Sequence, residues 1–216
     1  AEKGLTGGAH DVASFEDTHH GPLRRIQGFL HSYPTAIPFI VLLIGVLIFT
    51  IAAGSRFFAP FNLSLVLQQV TIIGVLGIAQ TLIILTAGID LSVGAIMVLS
   101  SVVMGRLAVV SGVPVPIAFS AGLLTGVACG YINGLLVTRL RLPPFIVTLG
   151  TWSIFGAILL FYSRSETIRQ QDVEQAAGML QWTGTAFQVG AARLTYGSIL
   201  MLVLAGIIWY VLNRTA

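Results

Sequence analysis

Thirty-three consecutive residues, Phe57 to Ile89, carry no charge, and beyond the lone carboxylate of Asp90 another 15, Leu91 to Gly105, carry none either. A helix rises about 1.5 Å per residue, so a hydrocarbon core of about 30 Å takes roughly 20 apolar residues. Six stretches meet that length: 36–54, 64–87, 91–110, 116–138, 144–162 and 195–213. Residues 63–110 taken as one helix would run about 70 Å, more than twice the core, so the chain must reverse within them. Ala87-Gly88 is the cheapest place, because glycine accepts the dihedrals a reversal requires.

Only 9% of the residues are charged, against 56% hydrophobic, with a mean hydropathy of +0.92. A water-soluble domain carries about a quarter charged residues, so this chain reads as all-α, a polytopic transmembrane helical bundle of about six spans. A polar tail over 1–33 precedes a membrane domain over 34–216, in which 163–194 is the one long loop. Stretch 165–180 reads either as an amphipathic helix on the membrane surface or as a cap over the bundle. The net charge of +3 comes from scattered arginines, not the stripe that nucleic acid requires. Near-membrane arginines divide evenly, Arg24, Arg25, Arg139, Arg141 and Arg214 on one side and Arg56, Arg106, Arg164, Arg169 and Arg193 on the other, so charge does not orient the chain.

An ionisable group inside lipid-compatible sequence marks a pathway or a structural hinge, and Asp90 admits both readings. As a hinge it caps the helix that follows by accepting backbone N–H bonds. On that helix Arg106 lies about 24 Å away, too far to pair with it. Uncharged polar residues gather in the spans: Gln80, Thr81, Thr86, Ser92, Ser100, Ser101, Asn133, Thr148 and Thr151. Such donors and acceptors suit a neutral polyhydroxylated solute, and they equally suit hydrogen bonds between helices. Gln80, Thr86, Asp90, Ser92, Asn133 and Thr148 are the candidates for a translocation pathway or gate. Gly122, Gly126, Gly130 and Gly134, spaced by four, form a small-residue ridge for close packing or for a gating helix. Gly88, Gly94 and Pro144 join them as packing or hinge positions.

Enzyme readings fail on the residues. There is no phosphate-binding Gly-x-x-x-x-Gly-Lys-Ser/Thr loop, no histidine within a span and no second embedded aspartate. Cys129 reads as a packing residue, and no metal site is expected, the histidines of the tail being irregularly spaced. A proton-coupled carrier would want several ionisable residues in series, and only Asp90 is embedded.

The run Gly77 to Gly94, Gly-Ile-Ala-Gln-Thr-Leu-Ile-Ile-Leu-Thr-Ala-Gly-Ile-Asp-Leu-Ser-Val-Gly, resembles the permease subunit of bacterial ABC sugar importers of the ribose type. Gly130-Tyr131-Ile132-Asn133-Gly134 resembles the family's Gly-x-x-Asn-Gly. Leu142-Pro143-Pro144-Phe145-Ile146-Val147-Thr148-Leu149-Gly150 resembles its Pro-Phe-Ile-x-Thr-Leu-Gly block. The similarity spans roughly Phe61 to Arg214 and leans toward fructose permeases. It implies an inner-membrane subunit with a cytoplasmic N-terminus and a periplasmic 163–194 loop, importing a monosaccharide, pentose or hexose. It also implies a permease homodimer on two ATP-binding subunits, which hold the ATP and Mg, served by a periplasmic sugar-binding protein. No cofactor is expected in this chain. Members of that family continue into a coupling segment and further spans, so this chain resembles an N-terminal fragment. The alternatives are an ion-gradient-driven secondary carrier for a small polar solute and a purely structural membrane anchor.

Overall fold

The computed structural model describes residues 31–33 and 36–215, and six helices long and apolar enough to cross a membrane lie at the expected places. Of the polar segment 1–33, all but 31–33 fall outside the described residues, so the expected tail does too. Two units are described separately, dividing at Phe57/Phe58. In the first, α1 (Ala36–Ala53) runs into a 3-10 turn at Gly54–Arg56, and Phe49 stacks on Phe57 at 5.9 Å between ring centroids. No residue of α1 is buried. An apolar helix without a single buried residue suits lipid rather than water.

The second unit comprises α2 (Pro60–Leu85), α3 (Val93–Gly105), α4 (Val115–Thr138), α5 (Pro144–Ser163), α6 (Gln170–Ala177), a hairpin of β1 (Ala186–Val189) and β2 (Ala192–Thr195), and α7 (Tyr196–Thr215). Proline sets the starts of three helices: Pro60 and Pro144 occupy the first position of α2 and α5, and Pro116 the second of α4. These positions have no intrahelical use for the N–H that proline lacks.

The reversal after α2 falls at the expected dipeptide but works differently. Ala87 takes the left-handed conformation, with φ 56, and not Gly88. The Gly88 N–H reaches the Ile83 carbonyl at 3.0 Å and the Ala87 N–H reaches that of Ile84 at 2.9 Å. This paired closure satisfies the last carbonyls of the helix. Gly88 serves by its small volume: a Cβ there would lie 3.1 Å from Ile83 Cγ2 and 3.3 Å from the Ile83 carbonyl oxygen, a tight fit.

Helices α3, α4 and α5 pack around Ala95, Leu99, Cys129 and Phe155. Cys129 is thus a packing residue, as its surroundings in sequence suggest. The glycine ridge of α4 is used over half its length. A Cβ on Gly122 would lie 3.0 Å from the Ser100 carbonyl oxygen, and one on Gly126 would lie 3.2 Å from Ser100 Oγ. Gly130 and Gly134 have nothing within 4 Å, and neither has Gly94. Among the described residues, then, a Cβ at any of those three positions would meet no close neighbour.

Helix α3 continues into a π turn, Arg106–Val110. Over it sits the 163–194 segment, which adopts the cap alternative: Ala177 and Leu180 pack on Ala108 and Ala118. The cap also holds the antiparallel hairpin, in register Ala186↔Thr195 and Val189↔Ala192, which the all-α expectation did not include. Its strands are too short, at four residues each, to show an alternating pattern in the sequence. Helix α7 packs against α2, with Met201 over Gly74 and Gly197 beside Thr71, and its start lies against Thr183 of the cap. A Cβ on Gly197 would lie 2.9 Å from the Thr183 carbonyl oxygen, a backbone atom that cannot swing away. Gly197→Ala is accordingly expected to cost about 1–2 kcal/mol by overpacking. An unfolding midpoint unchanged in detergent would contradict that contact.

Candidate functional site

Polar residues of three helices, α2, α4 and α5, converge on the loop that carries Asp90 and Ser92. Asp90 Oδ1 accepts the Ser92 N–H and the Ser92 hydroxyl, both at 2.7 Å. The first of these is the capping bond expected of Asp90, made one step early: it satisfies the residue at the helix boundary, not a donor inside the first turn. Ser92 has no exposed surface. Its single hydroxyl hydrogen is used on Asp90, so Ser92 Oγ can only accept from Asn133 Nδ2, which lies at 2.7 Å. From α2, Gln80 Nε2 donates to the Asp90 carbonyl at 3.2 Å. From α5, Thr148 accepts the Leu91 N–H at 3.2 Å, and its hydroxyl lies 3.1 Å from the Ile89 carbonyl and 2.9 Å from that of Pro144. The chain around Asp90 is thus tied to α2, α4 and α5.

Five of the six pathway candidates, Gln80, Asp90, Ser92, Asn133 and Thr148, belong to this knot. Thr86 does not: it is exposed, and its hydroxyl donates to the Ile83 carbonyl at 2.7 Å. Pro144 stands at the start of α5, one turn before Thr148, and so sets where that hydroxyl meets the loop. Two atoms of the knot are unmet. Gln80 Oε1 and Asn133 Oδ1 are buried with no hydrogen-bond partner. Such an acceptor costs roughly 1–3 kcal/mol when nothing donates to it. In both amides the nitrogen is committed and the oxygen is left to accept.

A second polar seam escaped the sequence reading. Between α2 and α7, Ser198 Oγ lies 2.8 Å from both Thr71 Oγ1 and Thr195 Oγ1, and Thr71 donates to the Leu67 carbonyl at 2.7 Å. Thr71 can then only accept from Ser198, which accepts in turn from Thr195. Ser64 Oγ accepts the Arg193 N–H at 2.9 Å, fastening the hairpin to α2. Every hydroxyl here is satisfied, which marks a clamp rather than a place with something missing. The only sequence signal is the seven-residue spacing of Ser64 and Thr71, which puts both on one face of α2.

No group of three or more histidine, cysteine, aspartate or glutamate residues that could hold a metal ion exists among the described residues. At the opposite end of α3 from Asp90, Arg106 donates to the Ser163 carbonyl at 2.9 Å and pairs with Glu166 at 3.3 Å. It therefore finds its partners in the cap and not in Asp90.

The knot lies within the part of the chain matched by a family pattern, the one described as branched-chain amino acid transport system / permease component, over residues 62–216. The chain belongs to this permease family. It is a multi-pass protein of the inner membrane, and the members it resembles are transporter subunits rather than enzymes. It is 52% identical over 215 residues to the fructose import permease protein of Rhizobium meliloti, covering 100% of this chain and 60% of that one. It is 36% identical to the ribose import permease protein of Bacillus subtilis strain 168, covering 82% of this chain and 53% of that one. It is 34% identical to the D-allose transport system permease protein of Escherichia coli K12, over 82% of this chain and 52% of that one. The chain thus spans half to three-fifths of the length of these permeases. No solved structure matches it significantly.

Proposed function

We propose that this chain is membrane-embedded sequence of an ABC importer that carries a monosaccharide across the inner membrane, with fructose the first sugar to test. The observation that carries the reading is the pair of buried acceptors left open at the Asp90 knot, Gln80 Oε1 and Asn133 Oδ1. A monosaccharide is a dense array of hydroxyl donors, and hydroxyls admitted to the knot when the bundle opens would meet those acceptors transiently. The relatives named for fructose, ribose and allose support the same class of solute. In this reading a second permease copy completes the pathway and a periplasmic sugar-binding protein delivers the solute. Two ATP-binding subunits hold the ATP and Mg, and their closure switches the bundle between outward-open and inward-open states. The 163–194 cap faces the periplasm. Asp90 fixes the reversal between α2 and α3 on the route.

Uptake of radiolabelled fructose, ribose and allose, in cells carrying the complete system, tests the proposal. Uptake is expected to stop when the ATP-binding subunit is deleted and to survive an ionophore. Uptake that persists without that subunit and collapses with the ionophore would instead establish a gradient-driven carrier.

A further inference from the structure

A cavity of about 770 Å³ opens where α3 and α5 end, lined by Arg106, Ser111, Tyr162, Arg164 and Ser165, with Phe161 on its apolar side. Helix α4 returns the chain between α3 and α5, so these two ends lie at the same membrane margin. Arg164 is held there by backbone geometry. It takes the left-handed position after α5, with φ 54, where the Ser165 N–H reaches the Leu160 carbonyl at 3.2 Å and the Arg164 N–H that of Phe161 at 3.3 Å. Glycine ordinarily fills that position, so an arginine stands there against its backbone preference.

Arg106 is oriented as well. One nitrogen, Nη1, is committed to the Ser163 carbonyl and Glu166, and the guanidinium lies 5.8 Å from the centre of the Tyr162 ring. Its other two nitrogens make no hydrogen bond among the described residues, and neither does the Arg164 side chain. Two guanidiniums against the single carboxylate of Glu166 leave one surplus positive charge. Phe161, 88% exposed beside them, adds an apolar ring to the rim of the cavity.

We propose that this margin cavity binds the phosphate of an anionic phospholipid headgroup, with Arg106 and Arg164 as its cations. A phosphodiester carries one negative charge, which the surplus matches, and guanidinium forks suit phosphate oxygens. Ser111, Ser165 and Tyr162 add neutral donors. A zwitterionic headgroup brings its own cation to the same place and is disfavoured. The inference depends on the protein lying in a membrane and is independent of the solute it carries.

The purified protein in neutral detergent is titrated with phosphatidylglycerol, phosphatidylcholine or inorganic phosphate, and bound species are counted by native mass spectrometry. Phosphatidylglycerol is expected to bind about tenfold more tightly than phosphatidylcholine, whose trimethylammonium would lie near the two guanidiniums and be repelled by them. Inorganic phosphate is expected neither to bind nor to displace it at the same concentrations. Arg164→Gln should abolish the preference. So should Arg164→Gly, which relieves the backbone and keeps the fold safe. Arg193→Gln, the same change of charge placed in the hairpin, should leave it intact. Equal binding of the two lipids, or full preference in both Arg164 variants, overturns the proposal. Displacement of phosphatidylglycerol by inorganic phosphate overturns it in favour of a free-phosphate site.

Discussion

Asp90→Ala is expected to lower solute uptake roughly tenfold or more while leaving insertion and abundance in the membrane unchanged. The change removes the acceptor of two bonds at once, from the Ser92 N–H and the Ser92 hydroxyl. The hydroxyl has a partial remedy: the Asn133 amide can rotate and offer the unpartnered Oδ1, at the expense of the bond from its Nδ2. The buried N–H has none, and an unmet buried donor costs about 1–3 kcal/mol. That cost falls on the loop that Gln80 and Thr148 also grip, so the reversal between α2 and α3 loosens while the helices still satisfy their own backbones. Asp90→Asn separates shape from charge. It keeps an acceptor oxygen for Ser92, and uptake within about threefold of wild type is expected from this smaller change. Uptake is measured in cells carrying the complete import system, with membrane abundance measured in parallel. If asparagine fails as badly as alanine, the carboxylate acts through its charge and the pinning role of Asp90 is wrong.

The helices were legible because the sequence and the lipid impose the same test. Twenty uncharged apolar residues have few alternatives, and the prolines at 60, 116 and 144 punctuate them where helices begin. The site was legible for a related reason. Gln80, Asp90, Ser92, Asn133 and Thr148 are polar where polarity is costly, so they had to find one another or a ligand. Thr86 carried the same signal but lies outside the knot, because a threonine at a helix end can return its hydroxyl to a nearby carbonyl, here that of Ile83. Composition cannot separate these two uses. The Ala87-Gly88 turn shows a second limit: glycine supplies both conformational freedom and absence of volume, and sequence does not say which is needed. The Thr71–Ser198 bond of the clamp and the attachment of the hairpin to Ser64 join residues more than 120 positions apart. No local pattern announces those.

The glycine ridge of α4 makes that second limit measurable, because a uniform spacing of four is expected to give effects of opposite sign. Gly122→Ala should destabilise by about 2 kcal/mol, since its methyl group would meet the Ser100 carbonyl and the Met104 side chain, and overpacking of this kind typically costs 1–3 kcal/mol. Gly126→Ala faces a hydroxyl that can turn aside, so its loss should be smaller. Gly130→Ala and Gly134→Ala fill open space in the same helix. Alanine there removes the entropy that glycine loses on becoming helical, and each should stabilise by about 0.5–1 kcal/mol. Denaturation of the four variants in mixed micelles, followed by circular dichroism, reads the series directly. Four equal losses would mean that the whole ridge is packed, and that Gly130 and Gly134 meet a surface from outside the described residues. A gain at those two beside a loss at Gly122 would fix the ridge as an α3 contact over its first half alone. The outer half would then be open for α4 to move when the permease changes state.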